Sequence, residues 1–301
     1  MKSLYDQLVR PIAVRGDDRA TRGAYFGKWK LVSIDGSTLD VADTNDNALE
    51  FGRPGASRGD SAYPQIRFVS LVENGTHVLF GARMGGYHDS EVALSKDIIP
   101  RLEKGMLCMA DRNFFSYNMW QLAVSTGADQ LWRIKKNLIL KPIEVLEDGS
   151  FLSKVYPSAK DRREDTNGIT VRVIEYQLEG ATDAEPCYRL ITTILSPQDA
   201  DAESLAALYH ERWEIESAIG EFKTHLRGAQ IVLRSQKPEL VRQEFFGFML
   251  AHFAIRGLMH EAALKDDVDP DEISFVHTVR VIRRKMAAAV SFPPSGLCRI
   301  S

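Results

Sequence analysis

Tyr209, Arg212, Glu216 and Lys223 fall in one helix-patterned run, Leu205 to Lys223, at offsets i, i+3, i+7 and i+14. At about 100° per residue these offsets confine all four to roughly a 60° arc of one α-helix. A hydroxyl, a guanidinium, a carboxylate and an ammonium then share a stripe about 20 Å long. That set suits a phosphodiester: the carboxylate can hold a divalent ion while Arg and Lys hold phosphate oxygens. The same spacing also describes an ordinary surface helix with an Arg212–Glu216 pair one turn apart, worth about 0.3–0.5 kcal/mol.

The apolar residues Leu208, Ile215, Ile219, Phe222 and Leu226 set the buried face of this run. The stripe should border that face, with Glu216 at the margin of the core, where a groove would lie. Glu211, Glu214, Glu221 and Thr224 are expected on the far, solvent side. Two aspartates join the inventory, Asp35 before Gly36 and Asp111 before Arg112-Asn113, each expected to close a strand. With Glu216 they bring three carboxylates from distant positions, a donor set that suits Mg2+ or Mn2+. Two such ions about 4 Å apart could activate a water or a 3′-hydroxyl and stabilise the departing oxygen. Either aspartate alone would be an ordinary turn former.

Positioning these groups falls to a mixed α/β pattern. Trp29 to Asp35 reads as a strand ending in an Asp-Gly turn. Gln65–Glu73 and Thr76–Arg83 read as a hairpin around the two-residue turn Asn74-Gly75. A helix over Glu91 to Leu102, a buried strand over Met106 to Ala110, a helix over Ser116 to Ser125 and a strand over Gln130 to Ile134 follow. This order predicts a mixed sheet with helices on its faces. From Leu138 to Leu195 short β-rich runs (138–146, 151–156, 169–178 and 187–195) predict an antiparallel insertion, with a charged exposed loop at 160–168. Ser196-Pro197 would open the glutamate-bearing helix, and two further helices are expected over 238–264 and 271–290. No internal repeat or low-complexity tract is present.

At 301 residues and 44% hydrophobic, the chain can bury a large core. Cys108, Cys187 and Cys298 are odd in number and lack metal-type spacing, so a reducing, cytoplasmic setting is expected rather than a disulfide framework. The first residues lack a signal-peptide pattern. The longest apolar stretch, Phe245 to Ile255, is too short to span a bilayer. A formal charge of −3 argues against a DNA-coating protein but leaves room for a local basic groove beside an acidic metal site.

The sequence resembles the insertion-sequence-four (IS-four) family of DDE transposases. The run matches that family's Tyr-x2-Arg-x3-Glu-x6-Lys signature at Tyr209, Arg212, Glu216 and Lys223. Asp35 stands in the Asp-Gly-Ser/Thr setting of its first aspartate, and Asp111, in Ala-Asp-Arg-Asn-Phe, matches the second. Asp43-Thr44-x-x-Asn47 and Phe51-Gly52-Arg53 also look like the family. The resemblance covers roughly Trp29 to Arg284. It implies a ribonuclease-H-like sheet interrupted by a β-rich insertion before the glutamate-bearing helix and followed by C-terminal helices. Residues 1–28 would be an N-terminal remnant, 29–137 with 196–264 the catalytic domain, 138–195 the insertion, and 265–301 a helical segment and tail.

Carried over, Asp35, Asp111 and Glu216 would bind one or two Mg2+ or Mn2+ ions. Tyr209, Arg212 and Lys223 would contact DNA phosphates, with Arg133, Lys135 and Lys136 as weaker backbone contacts. His210, His225, His252 and His277 are read as packing or surface residues. Trp132 and Trp213 are read as core rather than base-stacking groups. The expected activity is hydrolytic nicking of DNA followed by attack of the freed 3′-hydroxyl, with transposon ends and target DNA as partners and a homodimer on DNA. The resemblance further implies a hairpin on the excised end. Family members carry a sizeable region ahead of the first aspartate, so a core without its end-recognition module is expected. Two alternatives stay open: an idle remnant that pairs with full-length transposase and inhibits it, and a plain metal-dependent nuclease.

Overall fold

The computed structural model of the chain describes residues 1–16, 19–55, 63–177, 187–226 and 232–290, with only the backbone of Trp213 and of 287–290. Helix α1 (Lys2–Leu8) and a two-residue strand β1 (Tyr25–Phe26) precede the long strand β2 (Trp29–Asp40) and helix α2 (Asn45–Phe51). Strands β3 (Gln65–Glu73) and β4 (Val78–Gly86) follow, then α3 (Glu91–Ser95), β5 (Met106–Ala110), α4 (Tyr117–Ser125) and β6 (Asp129–Arg133). The next group is β7 (Glu144–Val145), β8 (Phe151–Val155), α5 (Ala159–Glu164), β9 (Ile169–Tyr176) and β10 (Tyr188–Thr192). Helices α6 (Ala202–His210), α7 (Glu214–Gly220), α8 (Pro238–Asp266) and α9 (Phe275–Val290) complete the described chain.

All ten strands form one sheet in the order β4-β3-β2-β5-β6-β10-β9-β8-β7, with β1 beside β2. The first three strands of the path are antiparallel, while β5 and β6 run parallel to β2. This is the order expected of a ribonuclease-H-like sheet: an antiparallel meander whose first strand, β2, begins a parallel trio centred on β5. Beyond it β10 pairs antiparallel with β6, and β9, β8 and β7 continue the same sheet antiparallel. Every residue of β5 is buried, as suits a central parallel strand covered on both faces.

Side-chain alternation divides the core. Leu31, Leu107, Met109, Leu131 and Leu190 pack with Leu205, Leu208 and Tyr209 of α6. The alternate residues Val32, Cys108, Ala110, Trp132 and Ile191 join a larger cluster with Met119, Trp120 and Ala123 of α4. Helices therefore cover both faces of the sheet. Ser116 caps α4 by accepting a bond from the Met119 N–H, the arrangement that favours Ser before a helix. Cys108 and Cys187 are both free. Among the described residues no helix is long and apolar enough to cross a membrane.

Several elements differ from expectation. β2 does not stop at Asp35 but runs on to Asp40, because β3 pairs with it along its whole second half. The β3–β4 connection is a four-residue loop, Asn74 to His77, instead of a two-residue turn. Its side chains are drawn inward: Asn74 accepts a bond from Ser33, Thr76 donates to the buried Glu73 carboxylate, and His77 adopts a left-handed φ of 56°. The helix expected over Glu91 to Leu102 breaks after Ser95 into a 3-10 turn at Ile99–Arg101, where Pro100 removes a donor and disfavours α geometry before it. The charged stretch 160–168 is not all loop, for Ser158 caps the short helix α5. Strand β7 is much shorter than the run expected at 138–146. Pro197 lies ahead of the glutamate-bearing helix, which starts at Ala202 behind the cap residue Asp201. Helix α9 begins at Phe275, after a separate 3-10 turn at Pro270–Glu272. Short helices α1 and α2 were not anticipated from the sequence pattern. α1 is held through Tyr5, whose hydroxyl donates to the Leu79 carbonyl and accepts from the Ala82 N–H.

Candidate active site

Asp35 and Asp111 meet at the point where β2 and β5 part. The last parallel pair is Ile34 with Ala110, and each aspartate is the next residue. Alternation places Asp35 two residues on from Ser33 and Asp111 two on from Met109, on the sheet face that α6 covers. Asp35 Oδ1 accepts a bond from its neighbour Gly36 N–H at 2.8 Å, and Arg212 Nη1 lies 3.7 Å from Asp35 Oδ2. Burial pushes the Asp35 carboxyl up to about 6; the Gly36 bond and Arg212 oppose this, while Glu91 and Asp111 reinforce it.

The signature residues run along this seam. The buried Tyr209 hydroxyl donates to the Ala110 carbonyl at 3.3 Å, next to Asp111. Arg212 faces Asp35, and Lys223 Nζ donates to Ser37 Oγ at 2.7 Å, two residues beyond Asp35. Glu216 lies between Arg212 and Lys223 and is exposed. Among the described residues, Asp35, Asp111 and Glu216 are not drawn within 4.8 Å of one another. The structure thus joins the two aspartates and three signature residues, and leaves Glu216 open to solvent beside them.

The supporting helix is not one regular α-helix. α6 passes through a 3-10 turn at Glu211–Trp213 into α7, and α7 passes into a π-helical turn at Glu221–His225. The solvent side expected for Glu214 and Glu221 is consequently wrong for both. Glu214 Oε2 accepts the Gly75 N–H at 2.8 Å, and burial, helped by Asp271, raises its carboxyl to about 7. Glu221 accepts from Arg256 Nε at 2.9 Å and lies 3.5 Å from His252 Nε2 and 3.6 Å from His77 Nδ1. Burial alone would raise the Glu221 carboxyl, but the two histidines and Arg256 outweigh it and hold it well below the usual range. Polar residues spaced along a helix suggest a wetted face; here partners from far along the chain bury them.

The remaining sequence candidates separate cleanly. Trp132 is fully buried edge-on against Trp120, a core role. Trp213's side chain lies outside the described residues. Arg133 stacks over the Tyr188 ring at 4.6 Å, whereas Lys135 and Lys136 are exposed just after β6. His210 packs edge-on against Tyr176 and Tyr188, His252 is buried, and His225 and His277 are exposed. The Asp43 to Arg53 residues act as braces: Thr44 caps α2 and donates to the Gln236 carbonyl, Asn47 ties Ala42 to Ser235, and Arg53 pairs with Asp43.

The aspartate pair fits a divalent cation. Its donors are hard oxygens, and burial of the Asp35 carboxyl, with Glu91 and Asp111 adding to it, outweighs the Gly36 bond and Arg212, so a cation would relieve a disfavoured charge there. A titration follows with a definite sign. The folded pKa of Asp35 is above its ordinary value, so without a divalent ion the folded state gains stability from protonation at low pH. That gain is lost as pH rises from about 4 through about 6, up to on the order of 3 kcal/mol. Denaturation in EDTA should show stability falling across this window, Asp35→Asn should flatten the fall, and Mg2+ should restore stability at pH 8. An identical pH profile in Asp35→Asn would remove the carboxyl from the account.

The chain is similar to four known entities, one family and three proteins. The profile of the family described as "Transposase DDE domain" matches residues 28–254. The chain is 29% identical over 288 residues to "Transposase InsG for insertion sequence element IS4" of Escherichia coli (strain K12), spanning 92% of this chain and 63% of that protein. It is 25% identical over 134 residues to "Putative transposase InsZ" of the same organism, spanning 44% of each. Among solved structures, the piggyBac transposase synaptic complex with hairpin DNA aligns at 10% identity and a TM-score of 0.48, over 88% of this chain and 54% of that one.

Proposed function

The chain belongs to the transposase DDE domain family, and on that premise we propose that it is the catalytic core of a cut-and-paste DNA transposase. The observation that carries the proposal is the seam itself. Arg212 reaches Asp35, Lys223 reaches Ser37, and Tyr209 anchors the helix to the carbonyl that precedes Asp111. In this reading residues 29–137 and 196–264 make the catalytic domain, 138–195 the insertion, 1–28 an N-terminal remnant and 265–301 the C-terminal segment. Asp35 and Asp111 would hold one or two Mg2+ or Mn2+ ions, and Glu216 would complete the set by turning inward from its exposed position. The bound ions would supply the activated nucleophile and stabilise the leaving oxygen. Arg212 and Lys223 would hold phosphate oxygens, with Lys135 and Lys136 along the flanking backbone and Arg133 less so because of its stack on Tyr188. Tyr209 donates to Ala110, so its contribution is to fix the helix beside Asp111. The partners would be transposon ends and target DNA, bound by a homodimer.

The test is a nicking assay on duplexes that carry candidate terminal repeats. Mg2+ should yield a 3′-hydroxyl end that then joins a second duplex, and EDTA should stop both steps. Arg212→Ala and Lys223→Ala should each weaken DNA binding and lower the slope of log affinity against log salt by about 0.9, the release accompanying one lost phosphate contact. Unchanged slopes in both would return the stripe to an ion-pair ladder. The exposed Glu216 favours one competing reading, an idle chain that pairs with full-length transposase. No cleavage with either ion, together with inhibition of a full-length enzyme, would select it.

A further inference from the structure

We propose that His77, Glu214 and Asp271 bind a divalent transition-metal ion, with zinc as the reference probe, at a site separate from the Asp35–Asp111 pair. Each residue offers one ligand atom, and the three atoms lie within 4.8 Å of one another. They come from three elements: the β3–β4 loop, the first turn of α7 and the 3-10 turn before α9. Such convergence is what a metal staple requires and what sequence spacing could not reveal.

His77 is the central observation. It is only 4% exposed, and its Nε2 makes no hydrogen bond although Asp271 Oδ1 is 3.2 Å away. Its other ring nitrogen faces Glu221 at 3.6 Å and the Arg256 guanidinium. For Nε2 to take an ion, Nδ1 must carry the proton and donate to Glu221, as metal-binding histidines do to a carboxylate behind them; without an ion Nδ1 instead takes the Arg256 contact. Glu221 is itself fixed by Arg256.

Charge points the same way. Glu214, Glu221 and Asp271 set three carboxylates against the single permanent cation Arg256, with His77 and His252 as the other members. In the state metal binding requires, with both imidazoles neutral and all three carboxylates ionised, the group carries an excess of two negative charges, the amount one divalent ion cancels. Imidazole with two carboxylates suits zinc, manganese or cobalt better than magnesium or calcium, which prefer oxygen alone. Asp271 is exposed, which gives an ion a way in. Glu214 stands two residues before Glu216, so a bound ion would tie the glutamate-bearing helix to the β3–β4 loop and the entry of α9.

The experiment needs no DNA, so its outcome is independent of the transposase reading. A tag-free, chelator-stripped chain is titrated with Zn2+ by calorimetry and with Co2+ by visible absorption. One site per chain is expected in an Asp35→Asn/Asp111→Asn variant, and the same site besides any ion on the aspartate pair in the wild type; the ligand variants below are therefore made in that double-variant background. Binding should weaken by roughly a hundredfold or more in His77→Gln and in Asp271→Asn. The exposed Asp271 keeps the test decisive if the buried His77 variant fails to fold. Absence of a stoichiometric site in the double variant, or a site unchanged in Asp271→Asn, overturns the proposal and leaves a proton-balanced hydrogen-bond cluster.

Discussion

Replacing Asp111 by asparagine is expected to lower Mg2+-dependent DNA cleavage by roughly a thousandfold or more, equivalent to about 4 kcal/mol of barrier, with the fold intact. Asparagine keeps the volume but removes the charge that attracts a divalent ion. Asp111 lies just past β5, half-exposed, and among the described residues its carboxylate takes a long 3.4 Å contact from Asn113 Nδ2, so little of the fold depends on it. Asp35→Asn should behave alike and gain stability near pH 8 without metal, because it removes a charge that burial disfavours. Circular dichroism, thermal unfolding and single-turnover nicking on one preparation would separate the effects. Cleavage near the wild-type rate in either variant would place the chemistry elsewhere.

The largest loss of stability is expected from Arg172→Met, about 3–5 kcal/mol, the range for breaking a buried ion pair by removing one partner. Arg172, in β9, is fully buried. It donates to Ser150 Oγ and to the Ala200 carbonyl, both at 2.7 Å, and pairs with Asp148. Asp148 in turn accepts the Ala202 N–H at 2.8 Å, the first residue of α6. The cluster fastens the β7–β8 turn to the start of the glutamate-bearing helix. Without the guanidinium, the Ala200 carbonyl loses its side-chain donor and the Asp148 carboxylate loses its counter-ion, keeping its bonds from Ser150 and Ala202. Urea titrations of Arg172→Met and Asp148→Asn, singly and together, would measure it. A cost below about 1 kcal/mol in the single arginine variant would show that water replaces the cluster freely.

The sequence was informative wherever one residue type admits one environment. The all-apolar run Met106 to Ala110 reads as a buried strand and is one, and the helix read over Ser116 to Ser125 forms with Ser116 as its cap. The same holds at the seam, where Tyr209, Arg212 and Lys223 reach the strands that carry both aspartates. What stayed hidden depended on partners far along the chain. Asp35 looked like a strand end because Asp-Gly favours turns, yet β3 holds β2 straight through it. Glu214 and Glu221 read as wetted under a uniform 100° step, and their partners, His77 and Arg256, lie far away in sequence. The 3-10 and π turns that flank α7 break that step.

The continuous sheet has a consequence for the order of assembly. β10 completes its pairing with β6 only after the chain has travelled out through β7, β8 and β9 and back. α6 begins ten residues after β10 ends. A chain still being synthesised can pair β2 with β5 and bring Asp35 beside Asp111 well before the residues of α6 and α7 exist. The early half therefore holds two carboxylates and none of the basic signature. Non-local strand pairing is slow to form, and domains emerging from the ribosome fold from the N-terminal side. The last group to arrive is the helix that carries Arg212, Glu216 and Lys223. A nascent chain that ends before α6 thus lacks most side chains of the proposed centre, which comes together only when the whole sheet has closed.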